Sequence, residues 1–186
     1  MSATGIAASM ADVRLAHTAD LDAAALGAAR ALLDAAFGGD FSDHDWDHAL
    51  GGMHALAWEG PELVGHAAVV QRRILHAGRA LRAGYVEAVA VRADRRGRGH
   101  AGATMAALER VLRGAYELGA LSAAAGAVRL YQGLGWRRWE GPTSALTPAG
   151  IVRTEDDDGS VHVLPLAVPL DLSGELTCDW RDGHVW

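Results

Sequence analysis

Lysine is absent from this 186-residue chain: all 17 basic side chains are arginine. A phosphate-binding P-loop, which requires a Gly-Lys-Ser/Thr step, is thereby excluded. Cysteine occurs once, at Cys178, so no internal disulfide can form and a reducing compartment is the expectation. No apolar run approaches the roughly 20 residues needed to span a bilayer. The opening segment, MSATGIAASMAD, has neither a basic start nor a long apolar centre, which argues against a secretory signal. Repeats, low-complexity tracts and linkers are also missing. These absences point to a cytoplasmic protein with one domain, expected over residues 12–186 behind a flexible lead-in at 1–11.

Half of the residues are hydrophobic and 22% are charged, the balance of a folded globular chain. The net charge of −6 conceals a sharp partition. Eight arginines against two acids lie between Arg72 and Arg98, whereas residues 34–48 hold five aspartates and no arginine. From Glu155 onward there are eight acids and a single arginine, Arg181. A basic middle between acidic flanks suits a protein that holds an anion centrally and a cation at its rim.

The patterning predicts a mixed α/β fold. VRLAH (13–17) alternates as a strand, and Asp20 is the expected N-cap of an Ala/Leu-rich helix that stops at Gly38-Gly39. Ser42 and Asp45 form a capping-box variant that opens a second, short helix. Strands are expected over MHALAW, LVGHAAVVQRRILH and ALRAGYVEAVAVR, then a helix over about 100–117. ALSAA (120–124) reads as a strand, VRLYQGLG as a short helix and WRRWE as a strand. SALTP, VHVLPLAV and the polar tail supply further strands and a closing segment.

Chemistry concentrates in VAVRADRRGRGHAG, residues 89–102. A strand that runs through a glycine-rich turn into a helix lets several backbone N–H groups converge on one anion, aided by the helix dipole. Side chains at the glycines would block that approach, and Arg96 and Arg98 add bidentate donors. The glycine spacing is not the G-x-G-x-x-G of dinucleotide folds. It matches R-x-x-G-x-A, as Arg96, Gly99 and Ala101. Downstream, Ala127-Val128-Arg129-Leu130-Tyr131 followed by Gly135-Trp136 forms an A-x-x-L-Y-x-x-x-G-W segment.

Together these two segments resemble the GCN5-related N-acetyltransferase (GNAT) superfamily. GDFSDHDWDHALGGMHALAW, LRAGYVEAVAVRAD, RGAYELGALS, GPTSALTP, DDDGSVHVLP and CDWRDGHVW further resemble the mycobacterial-type aminoglycoside 2'-N-acetyltransferases, over about Val13 to Trp186. The resemblance implies the GNAT fold: a mixed, largely antiparallel sheet flanked by helices, with acyl-CoA in the cleft where the sheet splays. It also implies acetyl-CoA as co-substrate, an aminoglycoside or other polycationic amine as acceptor, and a homodimer. It implies no metal, nucleic-acid or membrane partner. The alternatives on sequence grounds are an acetyltransferase of another polycationic amine and a non-catalytic binding module.

Carried onto this chain, the resemblance gives the backbone of Val89, Ala90 and Val91 the pantetheine arm. It gives Arg96, Gly97, Arg98, Gly99, His100 and Ala101 the pyrophosphate. Glu87, the lone acid in its strand, is implied to contact the substrate amines and accept a proton, with the Ala88 backbone beside it. Strand alternation puts Tyr85, Glu87 and Val89 on one face, opposite Val86, Ala88 and Ala90. A bulge in the Glu87–Val91 strand is expected to offer an N–H to the developing oxyanion. Tyr131 is implied as the acid facing the departing thiolate, since a phenol stays protonated at neutral pH. Ser122, Asp40, Asp45, Asp156 and Asp157 are implied substrate contacts, and the Trp186 carboxylate is expected near the reacting amine. His184 stands where close relatives are expected to carry Asp, which exchanges a fixed charge for a titrating one. His44 and His48, four apart with no third ligand evident, read as surface residues and not as a metal site.

Overall fold

A computed structural model describes residues 11–186; most of the expected lead-in lies outside the described residues. Its frame is two long antiparallel strands, β3 (Glu62–His76) and β4 (Arg79–Val91), joined by the Ala77-Gly78 hairpin turn. Around them run β1 (Asp12–His17), β2 (Met53–Glu59), β5 (Leu118–Ser122), β6 (Arg137–Arg138), β7 (Thr143–Thr147), β8 (Gly150–Arg153), β9 (Val161–Pro165) and β10 (Leu176–Asp179). The strand order is β6-β9-β5-β4-β3-β10-β7-β8, with β1 and β2 attached to the first half of β3. β3 thus serves two neighbours on one edge, β2 over its first half and β10 at Ile74 and Leu75. Among the described residues only β4–β5 and β7–β10 pair in parallel, so the sheet is mixed and largely antiparallel, as expected.

Helices cover both faces. α3 (His100–Ala115) buries Met105, Leu108 and Leu112 against Ala55, Val69, Val86 and Leu121. α1 (Ala23–Ala36) buries Ala29 and Leu32 on Leu56 and Leu63. Ala55 and Leu56 are adjacent on one strand and point to opposite faces, so α1 and α3 sandwich the sheet. Gly84 marks how close α3 comes: a Cβ there would lie 2.3 Å from Leu112 Cδ2. α2 (Asp43–Ala49) and α4 (Val128–Gly133) are short. The far end of the α1 face is closed by the chain terminus, where Trp186 joins Tyr85, Trp139 and Leu176 in the core.

Several boundaries differ from the sequence reading. The N-cap of α1 is Asp22, whose Oδ1 accepts the Ala25 N–H at 2.8 Å; Asp20 belongs to a preceding 3-10 turn, two residues too early. The Ser42–Asp45 capping box is present as read. α3 ends at Ala115 because Tyr116 adopts extended dihedrals, which lets β5 begin at Leu118 and not at 120. WRRWE contributes only two strand residues, since Trp139 leaves the edge to fill the core.

Candidate active site

β4 and β5 stay paired only from Ala83–Leu118 to Tyr85–Ala120. Beyond Ser122 the chain turns away, with the Ala123 N–H donating to the Ser160 carbonyl at 2.9 Å. The end of β4 therefore presents an unpaired edge to an opening between the two strands. A cavity of about 770 Å3 occupies it, bounded by Val89–Val91, the turn before α3 and the start of α4. A second cavity of about 400 Å3 lies on the acidic side, lined by Asp40, Asp45, Glu87, Ser122, His184 and Trp186 among others. Val89 and Tyr131 belong to the walls of both.

The turn into α3 has the geometry and charge that suit an anion. Gly97 and Gly99 take positive φ values of 76° and 87°, a conformation glycine adopts without the penalty of a Cβ. Among the described residues no side chain caps α3, which leaves its first N–H groups to the cavity. Arg96 and Arg98 are exposed and form no ion pair among the described residues. Arg92 is paired with Glu62 and Asp94, and Arg95 with Glu59 and Asp94, so these two are committed elsewhere. The buried His100 imidazole lies 3.0 Å from Glu59 but without hydrogen-bond alignment; what this residue offers an anion is its backbone. Ala101 follows in the first turn of the helix and lines the same cavity.

The bulge in β4 overturns the simple alternation. Glu87 opposes Ala68 and Ala90 opposes His66, so Ala67 alone faces both Ala88 and Val89. Ala88 takes φ of 51°, a strain of about 1–2 kcal/mol for a residue with a Cβ. The extra residue brings Ala88 and Ala90 to the α1 face, against Leu33 and Phe41. Val89 is turned to the α3 face beside Val86, where strict alternation would have opposed them.

Glu87 is the centre of the acidic cavity. Burial pushes its carboxyl above the ordinary carboxylate range, and the Arg181 guanidinium opposes that shift by pairing with Oε1. Arg181 also donates from Nε to the His184 carbonyl at 2.8 Å and lies over the Tyr85 ring. Arg72 reinforces the arrangement from β3, donating to Asp179 at 2.7 Å and to the Val185 carbonyl at 2.6 Å. His48 accepts a place in the same clamp, 2.7 Å from the Asp182 carbonyl, so it is a half-buried tail contact and not a free surface residue. His44 is exposed but packs on Gly183. The Trp186 indole N–H donates to Thr154 at 2.9 Å.

The remaining predicted contacts divide. Asp45 keeps its cap: burial raises its pKa, but the Ser42 N–H and hydroxyl bonds and the nearby His184 outweigh that and hold it low. Asp40 is exposed on the cavity wall. Ser122 bonds Ser160 at 3.1 Å. Asp156 and Asp157 occupy a 3-10 turn, Glu155–Asp157, outside the cavity lining. Burial pushes the Asp157 carboxyl up, and His184 is close enough to pull it back. Asp158 is structural, paired with Arg153 and the Thr143 backbone. Burial likewise pushes the Tyr131 phenol up to about 12. Sequence reasoning missed Arg181 and Arg72 as partners of this site. The signal was present: Arg181 is the single arginine in an acidic tail.

Residues 13–139 match the acetyltransferase (GNAT) domain model. An aminoglycoside 2'-N-acetyltransferase from Mycolicibacterium fortuitum is 58% identical over 177 residues, covering 93% of this chain and 91% of that protein. Among solved structures, a GNAT family acetyltransferase from Brucella melitensis in complex with acetyl-CoA superposes with a TM-score of 0.59 at 16% identity, covering 89% of this chain and 94% of that one. Escherichia coli ElaA gives a TM-score of 0.59 at 19% identity over 83% of this chain and 99% of its own. These two likenesses establish the fold, and the bacterial relative and the domain match establish descent. The chain belongs to the GNAT superfamily and, within it, to the aminoglycoside 2'-N-acetyltransferase family.

Proposed function

We propose that this acetyltransferase moves the acetyl group of acetyl-CoA to the 2'-amino group of an aminoglycoside in a ternary complex. The observation that carries the reading is the junction of a basic, glycine-turned cavity with an acidic one at Val89 and Tyr131. An acyl-CoA suits the first cavity: Val89–Val91 offer a strand edge not paired with β5, and residues Arg96–Ala101 offer N–H groups and two arginines outside any ion pair among the described residues. A polycationic amino sugar suits the second, where Asp40, Asp45 and Glu87 supply negative charge with Asp156 and Asp157 beyond its edge.

Acetyl-CoA supplies an activated thioester. Holding the free amine against its carbonyl carbon contributes much of the rate. As the C–N bond forms, the Val89 N–H stabilises charge on the carbonyl oxygen, and Glu87 or the Trp186 carboxylate takes the amine proton, directly or through a water. As the C–S bond breaks, Tyr131 gives its proton to sulfur. The raised phenol pKa keeps that proton in place at neutral pH.

No metal enters this scheme. We further place the protein in the cytoplasm; among the described residues no helix is long and apolar enough to cross a membrane. A homodimer is proposed through the edge hairpin of β7 and β8, where the cross-strand partners Leu146 and Ile151 are both exposed. CoA release measured with kanamycin B and with kanamycin A, which has a hydroxyl at the 2' position, tests the regiochemistry. Turnover with the first alone is the expected result. Equal turnover, or none with either, overturns it.

A further inference from the structure

Two buried histidines outside both cavities form a chain of hydrogen bonds that ends on the bulge. His54 in β2 and His66 in β3 are fully buried on the α1 face, diagonal neighbours in the β2–β3 register. Thr18 Oγ1 lies 2.8 Å from His54 Nε2, His54 Nδ1 lies 2.9 Å from His66 Nε2, and His66 Nδ1 lies 2.8 Å from the Ala88 carbonyl oxygen.

The last contact fixes the direction of all the others. A carbonyl only accepts, so His66 Nδ1 carries hydrogen. Burial pushes both rings down to about 4, so both are neutral, and each neutral ring has one donor and one acceptor. His66 Nε2 must therefore accept from His54 Nδ1, and the lone pair left on His54 Nε2 faces the Thr18 hydroxyl, whose hydrogen goes to this nearer acceptor at 2.8 Å and not to the Gly52 carbonyl at 3.2 Å. The Thr18 oxygen in turn accepts the Gly51 N–H at 2.9 Å. Every donor points one way, toward Ala88. Because the chain stops at a carbonyl, it cannot carry a proton into the site. Its effect is positional.

In a trans peptide the carbonyl and the following N–H point in opposite directions, and no described peptide bond is cis. The Ala88 carbonyl is drawn to His66 inside the sheet face, so the Val89 N–H is aimed away from it. Ala88 is also one of only two non-glycine residues with positive φ among those described, and the other, Ala77, sits in a hairpin turn. A mid-strand residue in that conformation needs a specific partner to hold it.

We propose that the Thr18–His54–His66 chain is the positioning device of the reaction, locking the 88–89 peptide so that the Val89 N–H is presented to the reacting carbonyl. The proposal deepens the acetyltransfer reading and rests on the oxyanion role given there to Val89. His66 and His54 are positioning residues; neither touches substrate.

The test compares His66→Phe, which keeps a ring and loses the donor, with His66→Asn, whose Nδ2 can stand where Nδ1 stood. Losing an aligned oxyanion donor lowers kcat by about 100-fold. His66→Phe is expected to lose at least about a tenth of that factor, roughly 10-fold in single-turnover acetyl transfer, with the acetyl-CoA Kd changed less than about 3-fold, and His66→Asn to recover most of it. Equal losses in both folded variants, or a loss carried by acetyl-CoA binding, overturn the proposal. A second readout needs neither folded variants nor activity: 15N spectra of histidine-labelled wild type should show His54 and His66 as neutral Nδ1–H tautomers, and an Nε2–H tautomer of His66 overturns it. If those tautomers are found while no aminoglycoside is turned over, the acetyltransfer reading fails and the lock on the peptide stands.

Discussion

Arg181 and Glu87 form an ion pair across 94 residues of sequence, inside the cavity that should receive a cation. Both side chains are largely buried, at 14% and 16% exposure, so the pair is poorly screened. The arginine opposes the upward push of burial on the carboxyl pKa and ties the Glu87 side chain, through the His184 carbonyl, to the tail. In the proposed reaction, substrate ammonium groups would therefore approach a base that already has a countercharge.

Arg181→Ala removes that countercharge and leaves only the weaker influence of Arg72 against burial. The Glu87 carboxyl pKa is already raised by burial, and without Arg181 it rises further. A base works when deprotonated, so the acid limb of kcat/KM against pH moves to higher pH, and activity falls more at pH 6 than at pH 8. Loss of one partner from a buried pair also costs on the order of 3 kcal/mol of stability. A pH profile with an unshifted acid limb would remove Glu87 from the role of base.

Tyr131→Phe keeps the ring against Trp136, with which it makes an edge contact at 6.3 Å, and loses only the hydroxyl. Acetyl transfer should fall by about 100-fold or more, the usual worth of a positioned acid, with acetyl-CoA affinity nearly unchanged. The phenol titrates far above neutral pH, so the wild-type basic limb should not belong to it. Stopped-flow transfer rates beside calorimetric binding separate the two quantities.

Gly99→Ala tests the anion turn by conformation, not by crowding. A Cβ at this position meets nothing within 4 Å, yet the backbone φ of 87° disfavours any residue that has one. A strain of about 1–2 kcal/mol is expected, relieved by distorting the turn, and the acetyl-CoA Kd should rise about 10-fold. An alanine variant with wild-type affinity would show that the turn does not need this geometry to bind.

How much of this was legible beforehand depends on the range of the interaction. The capping box at Ser42 and Asp45, the glycine turn and the pairing of long strands are local, and periodicity or spacing announces them. Val89 was assigned to the wrong face because a single inserted residue at Ala88 reverses everything after it, and no residue type there signals a bulge. Asp20 and Asp22 are both competent caps, and the choice was made by the 3-10 turn that precedes the helix. Arg72, Arg181, His54 and His66 gain their roles only from partners brought together by the sheet. The lone arginine in an acidic tail was visible, but its partner was not.

The two buried histidines give a pH dependence of stability whose sign is fixed. Their folded pKa values are lowered to about 4 from 6.5, so between those limits the unfolded chain binds more protons. Stability is then fully present above about 6.5 and is lost as pH falls toward 4, each ring contributing a slope of up to about 1.4 kcal/mol per pH unit. Urea denaturation of wild type should show this loss between pH 7 and pH 5, and a double variant, His54→Asn with His66→Asn, should show a shallower one. Parallel slopes would mean that the rings are protonated in the folded protein.

Trp186 separates packing from charge at the chain end. Its indole is 5% exposed and bonded to Thr154, so deleting the residue removes a core side chain and withdraws the carboxylate to Val185. Trp186→Phe retains a ring and leaves the carboxylate in place. Both variants lose stability, the deletion by about 3–5 kcal/mol and phenylalanine by less. If the carboxylate acts on the amine, the deletion lowers kcat/KM for the aminoglycoside by a further 10-fold or more at temperatures where both proteins are folded, while Trp186→Phe stays near wild type. Equal activity losses in the two variants would assign the residue to closing the core alone, leaving Glu87 as the sole acceptor of the proton.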